Sequence, residues 1–277
     1  MNNKIIQIEN MSCAYQLDKV VLTVKNFFLQ KGEIVFLLGP SGIGKSTFIE
    51  AIGLINNTGN VEAGTKAVYL DDRSESTDLI RIWDQPLSTL ENFRRDHFSF
   101  IFQNNYLMPN LTAGENMMLT LLMKGEKENQ AKNTIIKYME IVNLSKEFFD
   151  KKIYNLSGGQ KQRLAFVRAI ASPFEILIGD EPTGNLDAVT ARSLMTFTRT
   201  SIKEKNKVGI FVSHDIQLAL DFADRICLIK PLQTNSGYIG SLSDDSTLVK
   251  TDENWCLHSE DISAPYDYIY NIYQEVM

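Results

Sequence analysis

Apolar residues fall along the chain in short blocks with two spacings, one suited to strands and one to helices. Ile5–Ile8 and Val20–Leu29 predict two strands joined by a turn near Gln16–Lys19. Ile34–Leu38, Val61–Leu70, Phe98–Phe102, Ile176–Asp180, Val208–Val212 and Arg225–Ile229 predict further strands, several of them apolar enough for a sheet covered on both faces. Helical spacing appears in Phe48, Ile49, Ala51 and Ile52, and in the Met-rich Leu111–Met123. It recurs at 131, 135, 138, 139 and 142, one buried face, and in a helix opening at Ser157 and running through Ile170. Residues from about 104 to 170 therefore read as a helical subdomain inserted into an α/β body. The stretch Asp71–Asp96 is polar, with a surface loop at Asp71–Glu75 and a short helix near Leu90–Arg94. Beyond Pro231, Gly237–Gly240 predicts a hairpin turn. The tail after Leu242 holds Trp255 and four tyrosines (Tyr266, Tyr268, Tyr270, Tyr273), and predicts a short helix packed on the body, with no chemical role.

Composition narrows this picture. A chain of 277 residues with 44% hydrophobic and 22% charged content is that of one large globular domain with an appendage, expected at 1–241 and 242–277. No apolar run approaches the roughly 18–20 residues of a membrane span, and the N-terminus lacks the apolar stretch of a secretory signal. Cys13, Cys227 and Cys256 match no metal or disulfide spacing, so a reduced cytoplasmic protein is expected. The net charge of −6 sits in the tail, where residues 242–277 carry eight acids and one lysine. The body is close to neutral, which argues against a nucleic-acid surface.

The chemistry begins at Gly39-Pro40-Ser41-Gly42-Ile43-Gly44-Lys45-Ser46-Thr47, a G-x-x-x-x-G-K-[ST] loop between a predicted strand and a predicted helix. Glycines let backbone N–H groups converge on a phosphate chain, and the helix N-terminus adds its positive end. Lys45 is placed to reach β- and γ-phosphates and Ser46 to hold Mg²⁺. Asp180 and Glu181 end an apolar strand, the position of a metal ligand and of a general base beside an attacking water. His214 directly follows another strand and faces the ligand crevice if the sheet is parallel. Tyr15, upstream of the loop, is either an adenine-stacking ring or a hairpin tyrosine. Gln103, at a strand end, is by itself an ordinary turn residue. Met108, Met117, Met118 and Met123 suit core packing or a surface that adapts to a partner. In Leu156-Ser157-Gly158-Gly159-Gln160 a capping serine precedes two glycines, an anion site too weak alone and sensible as half of a site completed by another molecule.

Together the loop at 39–47, Gln103, LSGGQ at 156–160, ILIGDE at 176–181, GNLD at 184–187 and His214 resemble the ATP-binding subunit of ABC transporters. DEPTGNLD further resembles the lipoprotein-releasing, macrolide-exporting and cell-division branch. The resemblance implies a P-loop NTPase core with a mainly parallel sheet, an N-terminal antiparallel β subdomain and the inserted helical subdomain. It implies ATP hydrolysis with Mg²⁺: Tyr15 on adenine; residues 39–47 on the phosphates; Ser46, Gln103 and Asp180 at the metal; Glu181 as base; His214 at the γ-phosphate. Ser157, Gly158, Gly159 and Gln160 would close on a partner cassette's ATP, with Asp187 at the interface. The implied partners are a second cassette, identical or not, in a head-to-tail ATP sandwich, and a separate transmembrane permease, placing the chain on the inner face of the cell membrane, in export or envelope-type transport. The competing readings are a soluble non-transport cassette ATPase, a mechanotransmission cassette that moves no substrate, and a module that binds ATP without cleaving it. Gly179 departs from the apolar or Ala residue usual before the Asp–Glu pair.

Overall fold

The computed structural model of the chain describes residues 3–16, 19–71, 75–235, 237–252 and 254–274, the side chains of 61–63 excepted. Strands β1 (Lys4–Ala14) and β2 (Val20–Gln30) pair antiparallel, and Lys19 N–H donates to Gln16 C=O across a turn whose Leu17 and Asp18 lie outside the described residues. Strand β3 (Ile34–Leu38) runs through the glycine loop into helix α1 (Lys45–Ile52). Strands β4 (Gly59–Leu70) and β5 (Ser76–Asp78) return to the first sheet, followed by α2 (Leu87–His97) and β6 (Phe98–Ile101). Helix α2 is longer than the 90–94 expected, because Pro86 at its N-cap fits a helix start and its polar face leaves little hydrophobic signal. Helices α3 (Ala113–Met123), α4 (Glu128–Ile141) and α5 (Gly158–Ala171) form the inserted subdomain. The body resumes with β7 (Ile176–Asp180), α6 (Ala188–Glu204), β8 (Val208–Val212), α7 (Ile216–Phe222) and β9 (Arg225–Leu228). It continues through β10 (Lys230–Thr234), β11 (Gly237–Leu242), β12 (Thr247–Thr251), β13 (Asn254–Leu257) and β14 (Glu260–Asp261) to α8 (Pro265–Gln274).

Two sheets result. One has the order β10-β11-β2-β1-β4-β5 and is antiparallel except where β11 runs parallel to β2. The other has the order β14-β13-β12-β9-β3-β8-β7-β6, parallel from β9 to β6. Every residue of β3, β8 and β9 is buried, as strands covered on both faces require. One hydrophobic cluster joins Phe36 and Phe211 of this sheet to Met117, Ile135 and Phe166 of the inserted helices and Ile269 and Ile272 of α8. The other, on the opposite face of β3, joins Val35 and Leu37 to Phe48 of α1 and to the antiparallel sheet.

The C-terminal region departs from expectation in its strands, while the expected short helix packed on the body is present as α8. Gly237–Gly240 is not a turn but strand, and Gly237 pairs with Thr234 of β10; Ser236 lies outside the described residues. Asn-Ser-Gly turn chemistry lay just before the expected position. Residues beyond 242 are woven into the body: β12 pairs antiparallel with β9, β13 and β14 extend the same sheet, and α8 packs on α7. The three cysteines are free and buried, and burial pushes the Cys13 thiol up to about 12.

Candidate nucleotide site

The parallel sheet carries the ends of β3, β7 and β8 to one edge, where a crevice forms between successive strand–helix turns. An open cleft of about 350 Å³ there is lined by Tyr15, Val21, Ser41, Gly42, Gly44, Lys45, Ser46, Thr47, Glu181, Val212 and His214. The loop wraps the start of α1: Gly44 takes a left-handed φ of 94°, and a Cβ there would meet Leu22 Cβ at 3.0 Å, so a side chain would strain the turn. Ile43 tucks into the core while Ser41 and Gly42 stay exposed. Lys45 is 5% exposed and its ammonium donates to the carbonyls of Gly39 and Pro40, each at 2.7 Å. Burial lowers its pKa to about 8, against the pull of Glu181 and Asp180. The Tyr15 ring is 61% exposed beside the loop, its hydroxyl 3.1 Å from Thr47 Oγ1.

Glu181 stands where β7 ends, at φ 45°, a left-handed conformation that is costly for a glutamate. Its amide donates to Val212 C=O at 3.0 Å, which fixes the turn against β8. Its carboxylate lies between two partners: Gln103 Nε2 donates to Oε2 at 3.2 Å, and His214 Nε2 sits 2.9 Å from Oε1. Burial and the nearby Lys45 charge lower the His214 pKa, keeping the imidazole neutral near pH 7. Asp180 accepts a hydrogen bond from Ser46, and burial raises its pKa. Thus Tyr15, Lys45, Ser46, Thr47, Gln103, Asp180, Glu181 and His214 gather at one edge.

Ser157–Gln160 and Asp187 are not among the described residues lining that cleft. Ser157 caps α5 in a reciprocal box: its Oγ accepts from Gln160 N–H at 3.2 Å, and Gln160 Oε1 accepts from Ser157 N–H at 2.9 Å. Ser157 and Gly158 are exposed, and Gly159 lies near Asn185 and Leu186. Asp187 is exposed and caps α6 through Thr190 N–H at 2.9 Å. The chain therefore holds two groups of motif residues, one lining the cleft and the other outside its lining.

Two connecting residues escaped the sequence reading. Gln162, fully buried on α5, donates from Nε2 to Pro182 C=O in the turn after Glu181. Arg168 donates to the carbonyls of Asn105 (2.6 Å) and Tyr106 (2.9 Å), clamping the segment after Gln103 to the same helix. A glutamine on the otherwise apolar buried face of α5 was the available signal for Gln162.

Comparison with known proteins decides the family. The ABC transporter family profile matches residues 22–184. The chain belongs to the ABC transporter family. It is 33% identical to the ABC transporter ATP-binding protein MJ0796 of Methanocaldococcus jannaschii over 232 residues, covering 82% of this chain and 93% of that one. It is 32% identical to the lipoprotein-releasing system ATP-binding protein LolD of Zymomonas mobilis over 225 residues, 78% of this chain and 89% of that one. The dimeric structure of MJ0796 superposes with a TM-score of 0.68 at 31% identity, covering 81% of this chain and 94% of that one. A post-hydrolysis dimer of MJ0796 bound to ADP and Pi superposes with a TM-score of 0.69 at 30% identity, with the same coverage. This ABC cassette is an ATPase, and its fold is the α/β cassette fold. Among the described residues no helix is long and apolar enough to cross a membrane.

Proposed function

We propose that this chain powers a separate membrane permease from the inner face of the membrane, working as one of two cassettes that enclose two ATP molecules. The observation that carries the reading is the separation of the two motif groups: Glu181, Gln103 and His214 meet beside Lys45, while Ser157 and Gly158 face outward elsewhere. A site split in this way is completed by a second cassette facing the first.

In this reading the Tyr15 ring stacks on adenine, and Gly39–Thr47 with Lys45 hold the β- and γ-phosphates. Ser46 and Asp180, already joined by a hydrogen bond, offer hard oxygen donors of the kind Mg²⁺ takes. Among the described residues no group of three or more His, Cys, Asp or Glu could hold a metal. Substrate phosphates and water would complete the coordination of such an ion. Bound Mg²⁺ neutralises phosphate charge. Gln103 orients Glu181 and the attacking water, Glu181 takes the water's proton, and neutral His214 donates towards the γ-phosphate. Ser157, Gly158, Gly159 and Gln160 close over the partner's γ-phosphate, with Asp187 lining the shared interface.

The surface offers the permease a seat. A cleft of about 410 Å³ between α2, β6 and α3 is lined by Arg94, Arg95, Phe100, Met123 and Lys124 among others. Met123 in that lining is exposed, a deformable apolar contact. Arg168 ties α5 to the Gln103 segment, so movement of the helical subdomain reaches the carboxylate at Glu181. Similarity to LolD supports the lipoprotein-releasing branch.

The test is Glu181→Gln. Turnover should fall by about 10²-fold or more while ATP binding persists, and ATP should convert the variant to dimers in sedimentation. Full activity would remove Glu181 as base; ATP-saturated monomers would remove the paired site. Failure to co-purify any integral membrane protein from detergent extracts would refute the permease.

A further inference from the structure

Helix α8 ends the described chain, and it touches the phosphate loop. Ile269 and Ile272 anchor it in the hydrophobic cluster beside α7, which turns Tyr273 towards the end of β3. The Tyr273 hydroxyl accepts a hydrogen bond from Gly39 N–H at 3.1 Å. Gly39 is the first residue of the loop. The carbonyl of the same peptide, Leu38 C=O, accepts from Ile229 N–H of the β9 side at 2.8 Å, so Gly39 N–H points the other way, where Tyr273 meets it. It is buried, and a buried amide without a partner costs free energy comparable to a lost hydrogen bond.

The space around Gly39 admits little adjustment. Its φ is 152°, and a Cβ there would lie 2.6 Å from Ile229 C=O. Its own C=O accepts from the Lys45 ammonium at 2.7 Å. The two peptide units flanking Gly39 are thus held from opposite ends, one by Tyr273 and one by Lys45. Burial raises the Tyr273 pKa, so the phenol keeps its proton at neutral pH while its oxygen accepts.

We propose that Tyr273 is a positioning residue for ATP binding: the C-terminal helix fixes the first peptide of the phosphate loop and, through Gly39, the carbonyl that anchors Lys45. This assigns the C-terminal extension a part in the ATPase reaction. It does not depend on pairing or on the permease.

Tyr273→Phe on the full chain isolates the hydroxyl, since the ring and the Ile269 and Ile272 anchors remain. The KM for ATP should rise about three- to tenfold, the worth of one buried hydrogen bond, with kcat within about twofold of the parent. The equilibrium Kd for ATP should move by the same factor. Tyr270→Phe, on the same helix but exposed and stacked on Tyr266, should change neither. An unchanged KM and Kd in Tyr273→Phe would overturn the proposal, as would a lowered melting temperature with an unmoved Kd, because that is the signature of packing alone.

Discussion

Lys45 shows how burial tunes a single side chain. Its ammonium is held by two carbonyls in a pocket that desolvates it, and its pKa falls to about 8. Phosphate binding requires the charged form and restores the pKa upward. Below pH 8 the lysine is already protonated and binding needs no extra proton. Above pH 8 each binding event takes one up, so the Kd for ATP should rise by up to about tenfold per pH unit. ATP is fully ionised throughout that range, since phosphate's second pKa is near 6. Titration of ATP binding between pH 7 and 9.5 checks this; a flat profile would mean that burial does not bring Lys45 into titration over this range. Lys45 and Ser46 stood out through the glycine loop, and Asp180, Glu181 and His214 through their places at strand ends, whereas Tyr15 and Gln103 gained meaning only from the resemblance. Gln162 and Tyr273 were not legible. Their partners lie 20 and 234 positions away, and nothing local marks a glutamine or tyrosine as reaching a particular backbone group.

Among the elements, β9 shows how the two sheets are tied. Arg225 at its start is 4% exposed and donates to Glu33 through Nη2 (2.7 Å) and Nε (3.3 Å). It also donates to Phe28 C=O on β2 and lies 3.9 Å from the Phe28 ring centroid. Burial raises the Glu33 pKa despite the guanidinium, so the pair fixes geometry more than it adds net stability. Removing one partner is a different matter: Arg225→Ala leaves a buried carboxylate and should cost about 3–5 kcal/mol. Urea unfolding of the variant measures it; a cost below about 1 kcal/mol would show that water reaches Glu33. The parallel strands were legible because unbroken apolar blocks bounded by loops have few other solutions. Strands β12 to β14 were not, since their mixed residues pair antiparallel at a sheet edge and their register with β9 is set by contacts beyond any local window.

For the whole molecule, the decisive question is whether the glycines of α5 serve this copy or another. A Cβ at Gly158 meets nothing within 4 Å, so the fold of one chain does not demand glycine there. Aspartate in the first turn of a helix is favourable by roughly 0.3–1 kcal/mol. Gly158→Asp should therefore melt no lower than the parent, yet lose ATP-driven pairing in the Glu181→Gln background through repulsion of the partner's γ-phosphate. Retained pairing, followed by light scattering, would place the phosphate elsewhere.

The buried cysteines bear on how such pairing can be watched. Burial raises the thiol pKa of Cys13 and Cys227, and the Asp261 carboxylate raises that of Cys256, so little reactive thiolate is present at neutral pH. The native chain should therefore react slowly with sulfhydryl reagents at neutral pH. A fluorophore or crosslinker attached through one cysteine engineered on an exposed helix would report from that spot alone, without first stripping the protein of its own sulfur.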